Sequence, residues 1–203
     1  MTAEAVIADA VERFHPRVAL ACSFQKEETV LLEMLFAAEP SARVFALDTR
    51  VLFEETYEYW RGVEARYDTK VEVFAAEDPP EGLWATDPAA CCGMRKVAPL
   101  GRALSGLDAW ITGMRREQSP TRSDIEEAGW DAKHGLWKFN PLASWSERHV
   151  WAYIADHGLP SNPLHDRGYD SIGCTHCTVA AGGRAGRWAG TDKIECGRHL
   201  PTP

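Results

Sequence analysis

Short apolar runs alternate with helical patterns along this chain, and each run ends in a polar loop; that alternation most limits what it can fold into. Arg17-Val18-Ala19-Leu20-Ala21 reads as a buried strand. Glu27 to Ala38 reads as a helix with Val30, Leu31, Met34 and Leu35 on one face. Arg43 to Leu47 is expected as a second strand, Glu54 to Arg66 as a second helix, and Lys70 to Phe74 as a third strand. A long helix is expected over Ala89 to Leu104, strands over Ala109 to Thr112 and Trp137 to Asn140, and a helix over Ser146 to His157 with Ser146 as its N-cap. This order predicts an α/β fold, a mostly parallel sheet flanked by helices, with right-handed crossovers.

With 203 residues and no repeat or internal linker, the chain suits one domain with a real core. The last 26 residues differ. They hold Gly182, Gly183, Gly186, Gly190 and Gly197 without apolar periodicity, so a loop or mobile C-terminal tail is expected there. The expected division is a body over 1–178 and a tail over 179–203.

Charge excludes some partners. The formal net charge of -8 argues against nucleic acid. Its distribution is uneven: residues 1–90 hold eight Lys/Arg against eighteen Asp/Glu, and residues 123–177 hold four against eight. Residues 91–122 hold six basic against two acidic groups, and residues 178–203 four against two. Two basic segments in an acidic chain read as a local pocket for a small anion, and both segments carry cysteines. No apolar run reaches the ~18 residues of a membrane span. Met1-Thr2-Ala3-Glu4 is not the start of a secretory signal, so the expected location is cytoplasmic with reduced thiols. Six cysteines then point to metal binding or catalysis rather than disulfides.

In open α/β sheets ligands bind beyond the carboxyl ends of the strands. Those ends carry Cys22-Ser23-Phe24-Gln25, Asp48-Thr49-Arg50 and Thr112-Gly113-Met114-Arg115-Arg116. The first leads into a helix whose free N–H groups suit an anion. Neither a Walker loop nor Gly-x-Gly-x-x-Gly is present. Arg115, Arg116 and Arg122 surround Gln118-Ser119-Pro120-Thr121, and guanidinium groups grip phosphate or sulfate in a forked geometry.

Cys174-Thr175-His176-Cys177 has a metal-clamp spacing, and Cys91-Cys92 are adjacent. Together they supply four thiolates, enough for a structural zinc or an iron–sulfur cluster. Lys96 follows Cys92 by one helical turn and faces the same side. Cys196, between Glu195 and Gly197 with Arg198 and His199 beyond, reads as a nucleophile. Cys22 fits a packed strand end.

These stretches resemble a known family. Ser23-Phe24-Gln25-Lys26-Glu27-Glu28, Leu47-Asp48-Thr49, Cys91-Cys92-Gly93-Met94-Arg95-Lys96 and Thr112-Gly113-Met114-Arg115-Arg116 match in order. Lys138-Phe139-Asn140-Pro141-Leu142, Asn162-Pro163-Leu164-His165-Asp166, Arg184-Ala185-Gly186-Arg187-Trp188 and Glu195-Cys196-Gly197-Arg198-His199 continue the match over nearly the whole chain. The chain resembles the assimilatory sulfonucleotide reductases, most closely the iron–sulfur adenylyl-sulfate (APS) reductases. The resemblance implies an adenine nucleotide alpha-hydrolase-like fold and a [4Fe-4S] cluster on Cys91, Cys92, Cys174 and Cys177. It implies that Cys196 attacks the sulfur of adenylyl sulfate, releasing AMP and leaving an S-sulfocysteine. Thioredoxin or a related dithiol protein then releases sulfite, in sulfate assimilation towards cysteine.

By resemblance, Lys96, Arg184 and Arg187 serve the sulfate and phosphate groups. Ser23, Phe24, Gln25, Asp48, Thr49, Arg115, Arg122 and His199 complete the expected substrate site. A homo-oligomer is compatible with this. A reductase of the 3′-phosphorylated nucleotide (PAPS) is the alternative within the family. A tRNA-thiolating ATP pyrophosphatase would need a Ser-Gly-Gly-x-Asp-Ser loop that is absent, and a zinc-binding module would leave Cys196 and the arginines idle. The loop from Cys177 to Arg184 is shorter than the family's, and Arg198 replaces a commonly apolar residue.

Overall fold

Each expected apolar run forms a strand in the computed structural model, which describes residues 1–197. The strands are β1 (Val18–Cys22), β2 (Arg43–Asp48), β3 (Glu72–Ala75), β4 (Ala109–Ile111), β5 (Ala128–Asp131) and β6 (Leu136–Phe139). They make one sheet in the order β3-β2-β1-β4-β6-β5. All neighbours are parallel except β5, which runs antiparallel to β6.

Successive residues of a strand point to opposite faces, and here they feed two cores. Val18, Leu20, Val44, Ala46, Ile111 and Phe139 join the larger one. It is completed by α1 (Ala3–Phe14), α2 (Lys26–Ala38), α3 (Glu54–Arg66) and α7 (Glu147–Asp156). Ala19, Phe45, Trp110 and Leu136 face the other way, against Leu100, Ala103 and Leu104 of α6 (Ala98–Leu104). Burial on both faces explains why the parallel strands read as near-continuous apolar runs.

Among the described elements that the sequence reading did not anticipate, two belong to the sheet and the layer that covers it. Helix α1 is one, although Ala3, Val6, Ile7 and Ala10 recur at helical spacing and all are buried. Strand β5 is the other: an edge strand with a glycine and an exposed Trp130 offers no alternation to read.

The expected helix over 89–104 is a correction. After the short α4 (Leu83–Thr86), it is built from α5 (Pro88–Cys92), a π-helical turn over Gly93–Val97, and α6. Asp87 caps α5 through its carboxylate, which accepts from the N–H groups of Ala89 and Ala90. Such π turns concentrate at functional sites; this one carries Lys96 into the interior.

Ser146 caps α7 as expected, its Oγ accepting from His149 N at 3.2 Å. The stretch 179–197 has no helix or strand, as its glycines suggested, yet it is packed: Trp188, Glu195 and Cys196 are all buried. No described helix is long and apolar enough to cross a membrane.

Candidate active site

The loops at the carboxyl ends of β1, β2 and β4 converge with the stretch 170–188 around three adjoining cavities. The largest, about 820 Å³ including its open mouth, is walled by Ser23, Gln25, Arg115, Arg122, Arg184 and Arg187 among others. The second shares Ser23, Gln25 and Arg187 with it and adds Phe24, Thr49 and Lys96. The third shares Lys96 with the second and holds Cys91, Cys92, Cys174 and Cys177. Side chains spread from position 23 to 187 thus form one connected site, and Lys96 stands where its middle meets the cysteines.

The first loop is shaped by backbone strain and buried polar contacts. Phe24 sits at φ 58, an unusual value for a bulky residue. Its ring is buried and stacks on Trp60 at 4.8 Å, and its carbonyl accepts from Asn162 Nδ2 at 3.2 Å. Ser23 Oγ donates to Glu28 Oε2 at 2.7 Å, and Gln25 N donates to the same oxygen at 3.2 Å. The Glu28 carboxylate therefore occupies the amino end of α2, where the sequence left room for an anion. Gly113 lets β4's loop pass over it, since a Cβ there would collide with Glu27 and Glu28.

Asp48 serves its own turn, accepting from Arg50 N and from the Tyr57 hydroxyl, both at 2.7 Å. Thr49 is buried between the second cavity and the cysteines: its carbonyl accepts from Arg95 Nη1 at 2.5 Å, and its Oγ1 lies 3.4 Å from Cys174 Sγ.

The expected arginines divide by partner. Arg115 is buried and committed to carboxylates, with Glu27 at 2.9 Å and Glu117 at 3.0 Å. Arg122 holds Glu195 through Nε at 2.9 Å and Nη2 at 3.0 Å, and also donates to Gln118. Arg184 reaches the same Glu195 at 3.1 Å. Burial, then the nearby Arg122, push the Arg184 guanidinium down to about 10. Arg187 donates to Ile172 O at 2.9 Å and to Ser171 Oγ at 3.3 Å, and lies over the Trp188 ring at 4.7 Å. Gly173 makes that approach possible, because a Cβ there would meet the Arg187 guanidinium.

The four cysteines ring the third cavity, which measures about 310 Å³ with its mouth. Burial raises the Cys92 and Cys177 thiols. Burial also acts to raise Cys174, but Lys96, the Thr49 hydroxyl and Arg187 outweigh it and hold that thiol below its ordinary value. Cys196 is buried against Cys92 and Trp188, with Cys177 at the edge of the cluster. Cys22 is packed in the larger core, and burial keeps it firmly protonated. Trp84 stacks on His176 at 5.0 Å beside the cysteine cavity. The expectation for His199 falls outside the described residues.

Several residues of the site are missed by the sequence reading. Lys26 lies in the cleft wall, buried, 2.8 Å from Glu147 and donating to Asp170 O at 2.7 Å. Glu27 pairs with Arg115 and Gln118, far along the chain, whereas Glu28 serves its own loop through Ser23 and Gln25. Their one local signal is two acidic residues in the first turn of a helix. Chemically, the arrangement places convergent cations beside an open cleft and a cluster of thiols behind them.

Comparison with known proteins points the same way. The phosphoadenosine phosphosulfate reductase domain matches residues 17–180. A phosphoadenosine 5′-phosphosulfate reductase of Gloeobacter violaceus is 46% identical over 97% of this chain and 88% of its own length. An adenosine 5′-phosphosulfate reductase of Lysinibacillus sphaericus is 43% identical over 93% of this chain and 86% of its own. Among solved structures, a phosphoadenylyl-sulfate reductase from Candida auris superposes with a TM-score of 0.79 at 28% identity, covering 88% of this chain and 91% of that one. An FMN adenylyltransferase from Candida glabrata, at 16% identity and a TM-score of 0.66 over 88% and 61%, shares the fold.

Proposed function

Because the chain belongs to the phosphoadenosine phosphosulfate reductase family, we propose that it is an oxidoreductase reducing adenylyl sulfate to sulfite and AMP, with Cys196 as nucleophile. One observation carries the reading: Lys96, Arg184 and Arg187 converge on adjoining cavities, and Cys196 is buried against Cys92 and Trp188, which line the cavity next to Lys96. A phosphosulfate is a compact polyanion, and forked guanidinium groups with one ammonium suit it.

In the proposed reaction the Cys196 thiolate attacks the sulfonate sulfur. A bond forms from Sγ to that sulfur, the sulfur–oxygen bond to the phosphate breaks, and its electron pair leaves with AMP. Positive charge is needed where negative charge gathers on the leaving phosphate, and Lys96, Arg184 and Arg187 provide it. A dithiol protein such as thioredoxin then attacks the Cys196 sulfur. Sulfite departs with the electron pair of the sulfur–sulfur bond, leaving a mixed disulfide with Cys196, and the second thiol of the dithiol displaces the Cys196 thiolate and closes the dithiol into a disulfide. The body over 1–178 supplies most of the nucleotide cleft and the cysteine ring, and the segment 179–203 supplies Arg184, Arg187 and the nucleophile.

The same proposal assigns a [4Fe-4S] cluster to the cysteine ring. Four soft thiol donors, one with its pKa held low, line one cavity, and soft thiolates are the donor set of iron–sulfur clusters. Among the described residues, no group of three or more His, Cys, Asp or Glu side chains is arranged to hold a metal ion. Cys91, Cys92, Cys174 and Cys177 would hold the cluster, and its contribution when bound is electrostatic, acting on the field around Lys96 without passing electrons.

The names of the Gloeobacter violaceus and Candida auris relatives favour a second reading, in which the substrate is the 3′-phosphorylated nucleotide. One experiment separates the two. The protein is incubated anaerobically with each nucleotide, without a dithiol, and weighed intact. The expected result is one added sulfonate group from adenylyl sulfate, absent in Cys196→Ser. Addition only from the 3′-phosphorylated nucleotide selects the second reading. No addition from either, on protein that retains iron and sulfide, defeats the covalent mechanism.

A further inference from the structure

The residue before the proposed nucleophile is itself an anion bound in a cationic site. Glu195 is buried, and its carboxylate takes a two-point fork from Arg122 at 2.9 and 3.0 Å. Arg184 adds a third contact at 3.1 Å. Both arginines line the open cleft. A fork of this kind is the geometry in which guanidinium groups bind sulfate or phosphate. Arg122 and Arg187, both buried, each stand near enough to act on the part-buried Arg184, so cations are crowded together there. Such a group is costly unless an anion is among them.

The same contacts fix the segment that carries Cys196. On its amino side the chain is anchored by Glu195. On its carboxyl side Lys133 Nζ donates to the Gly197 carbonyl at 2.5 Å. Between these anchors Cys196 is only 5% exposed, against Cys92 and Trp188. A thiol in that seat is shielded from a substrate in the cleft. The seat and the cleft are joined by one carboxylate, because Arg184 cannot give its full charge to an incoming anion while it holds Glu195.

We propose that Glu195 is a positioning residue of the reaction: an internal anion that holds Cys196 in its buried seat through Arg122 and Arg184, and that an anion entering at Arg184 displaces. Entry of the substrate's anionic group then loosens the segment and delivers the thiol to the cleft. The inference rests on the reading of Cys196 and the arginines given above. It explains why an acidic residue sits beside a nucleophilic thiol, a placement that otherwise works against thiolate formation.

The test reads accessibility of Cys196 and needs no turnover. Full-length protein, purified anaerobically, is treated with iodoacetamide, and Cys196 modification is followed by peptide mass mapping with and without inorganic sulfate. Wild type is expected to react slowly and to speed up saturably with sulfate. Glu195→Gln is expected to react about tenfold faster without sulfate, a change needing only ~1.4 kcal/mol of lost hold, and to ignore sulfate. Glu195→Asp, which keeps the charge on a shorter arm, should fall between and keep a sulfate response.

A wild-type rate indifferent to sulfate, or a Glu195→Gln rate equal to wild type, overturns the proposal. If Glu195→Gln does not melt cooperatively, the wild-type and Glu195→Asp responses decide. In turnover, Glu195→Gln should lower KM and kcat together, because an internal competitor and a positioning contact go at once. If wild type turns over no sulfonucleotide, the proposed function fails, while alkylation still judges Glu195.

Discussion

The larger core beneath the sheet and the crest at its carboxyl edge are both buried, yet different forces hold them. In the core, Ile7, Val30, Leu31, Leu35, Val44, Ile111 and Phe139 pack against one another with aliphatic and aromatic contacts. At the crest, Lys26, Glu27, Glu28, Lys96, Arg115, Arg122, Arg187 and Glu195 are each less than a tenth exposed. Buried apolar side chains stabilise by removing surface from water, at roughly 25 cal/mol per Å². Buried ion pairs recover their desolvation cost only with good geometry, and apolar isosteres often match or exceed them. The crest is therefore the part of the molecule shaped for binding and chemistry at some cost in stability.

The strongest way to break this contrast is to make one substitution in each region and measure both properties. Leu31→Ala removes a fully buried side chain from the core. It should cost about 2–5 kcal/mol, read as a lower urea midpoint, with kcat/KM of the remaining folded protein nearly unchanged. Lys96→Met keeps the volume and removes the charge between the second cavity and the cysteines. It should leave the midpoint unchanged or raised and lower sulfonucleotide turnover about 10²–10³-fold, the scale of losing one preorganised charge-stabilising group. If Lys96→Met destabilises as much as Leu31→Ala, crest and core are held by the same forces.

The same contrast governs what the sequence discloses. Strands β1, β2 and β4 and helices α2, α3 and α7 are legible because burial imprints a local period on apolar residues. Edge strand β5 carries no such imprint, with Trp130 turned to solvent. At the crest, residue types are legible but pairings are not. Arg115 meets Glu27 across 88 positions, and Arg122 meets Glu195 across 73. An ion pair between distant loops leaves no periodic trace, so Arg115 reads as an anion ligand, although two carboxylates already claim it. Lys96 is legible as a basic residue one turn from Cys92, whereas the π turn that inserts it is not. The cysteine pairs are the exception, since their short spacings already suggest convergence on one place.

A smaller effect sharpens the crest side. Gly173→Ala places a methyl group against the Arg187 guanidinium, which is also held by Ser171 and Ile172. The backbone there is not at positive φ, so the methyl should act by displacing Arg187 rather than by straining the chain. The expected outcome is a KM for adenylyl sulfate raised about tenfold, equivalent to ~1.4 kcal/mol, with the urea midpoint little changed. An unchanged KM would mean that Arg187 shifts without loss, or that it does not meet the substrate.

The smallest expected effect lies where the crest meets helix α2. His165 Nε2 accepts from Lys26 N at 3.2 Å, and its Nδ1 lies 2.7 Å from Tyr169 O, which fixes a neutral ring with the proton on Nδ1. Burial, and next the Lys26 charge, hold its pKa below the ordinary value; the Tyr169 carbonyl, Glu27 and Asp170 act the other way without prevailing. In the unfolded chain the ring titrates near ~6.5. As pH falls below that value the unfolded state takes up the proton first, so stability declines until the lower folded-state pKa is reached and levels off beneath it. The slope cannot exceed ~1.4 kcal/mol per pH unit for one group. Above pH 7 both states are neutral and the term vanishes. Urea midpoints of wild type and His165→Gln, compared between pH 5 and 8, isolate it. The difference should change on acidification below about 6.5 and stay flat above 7. A wild type that loses no more stability than the variant on acidification would show that a protonated His165 is accepted at the head of α2, and that this corner of the crest tolerates one charge more than its contacts suggest.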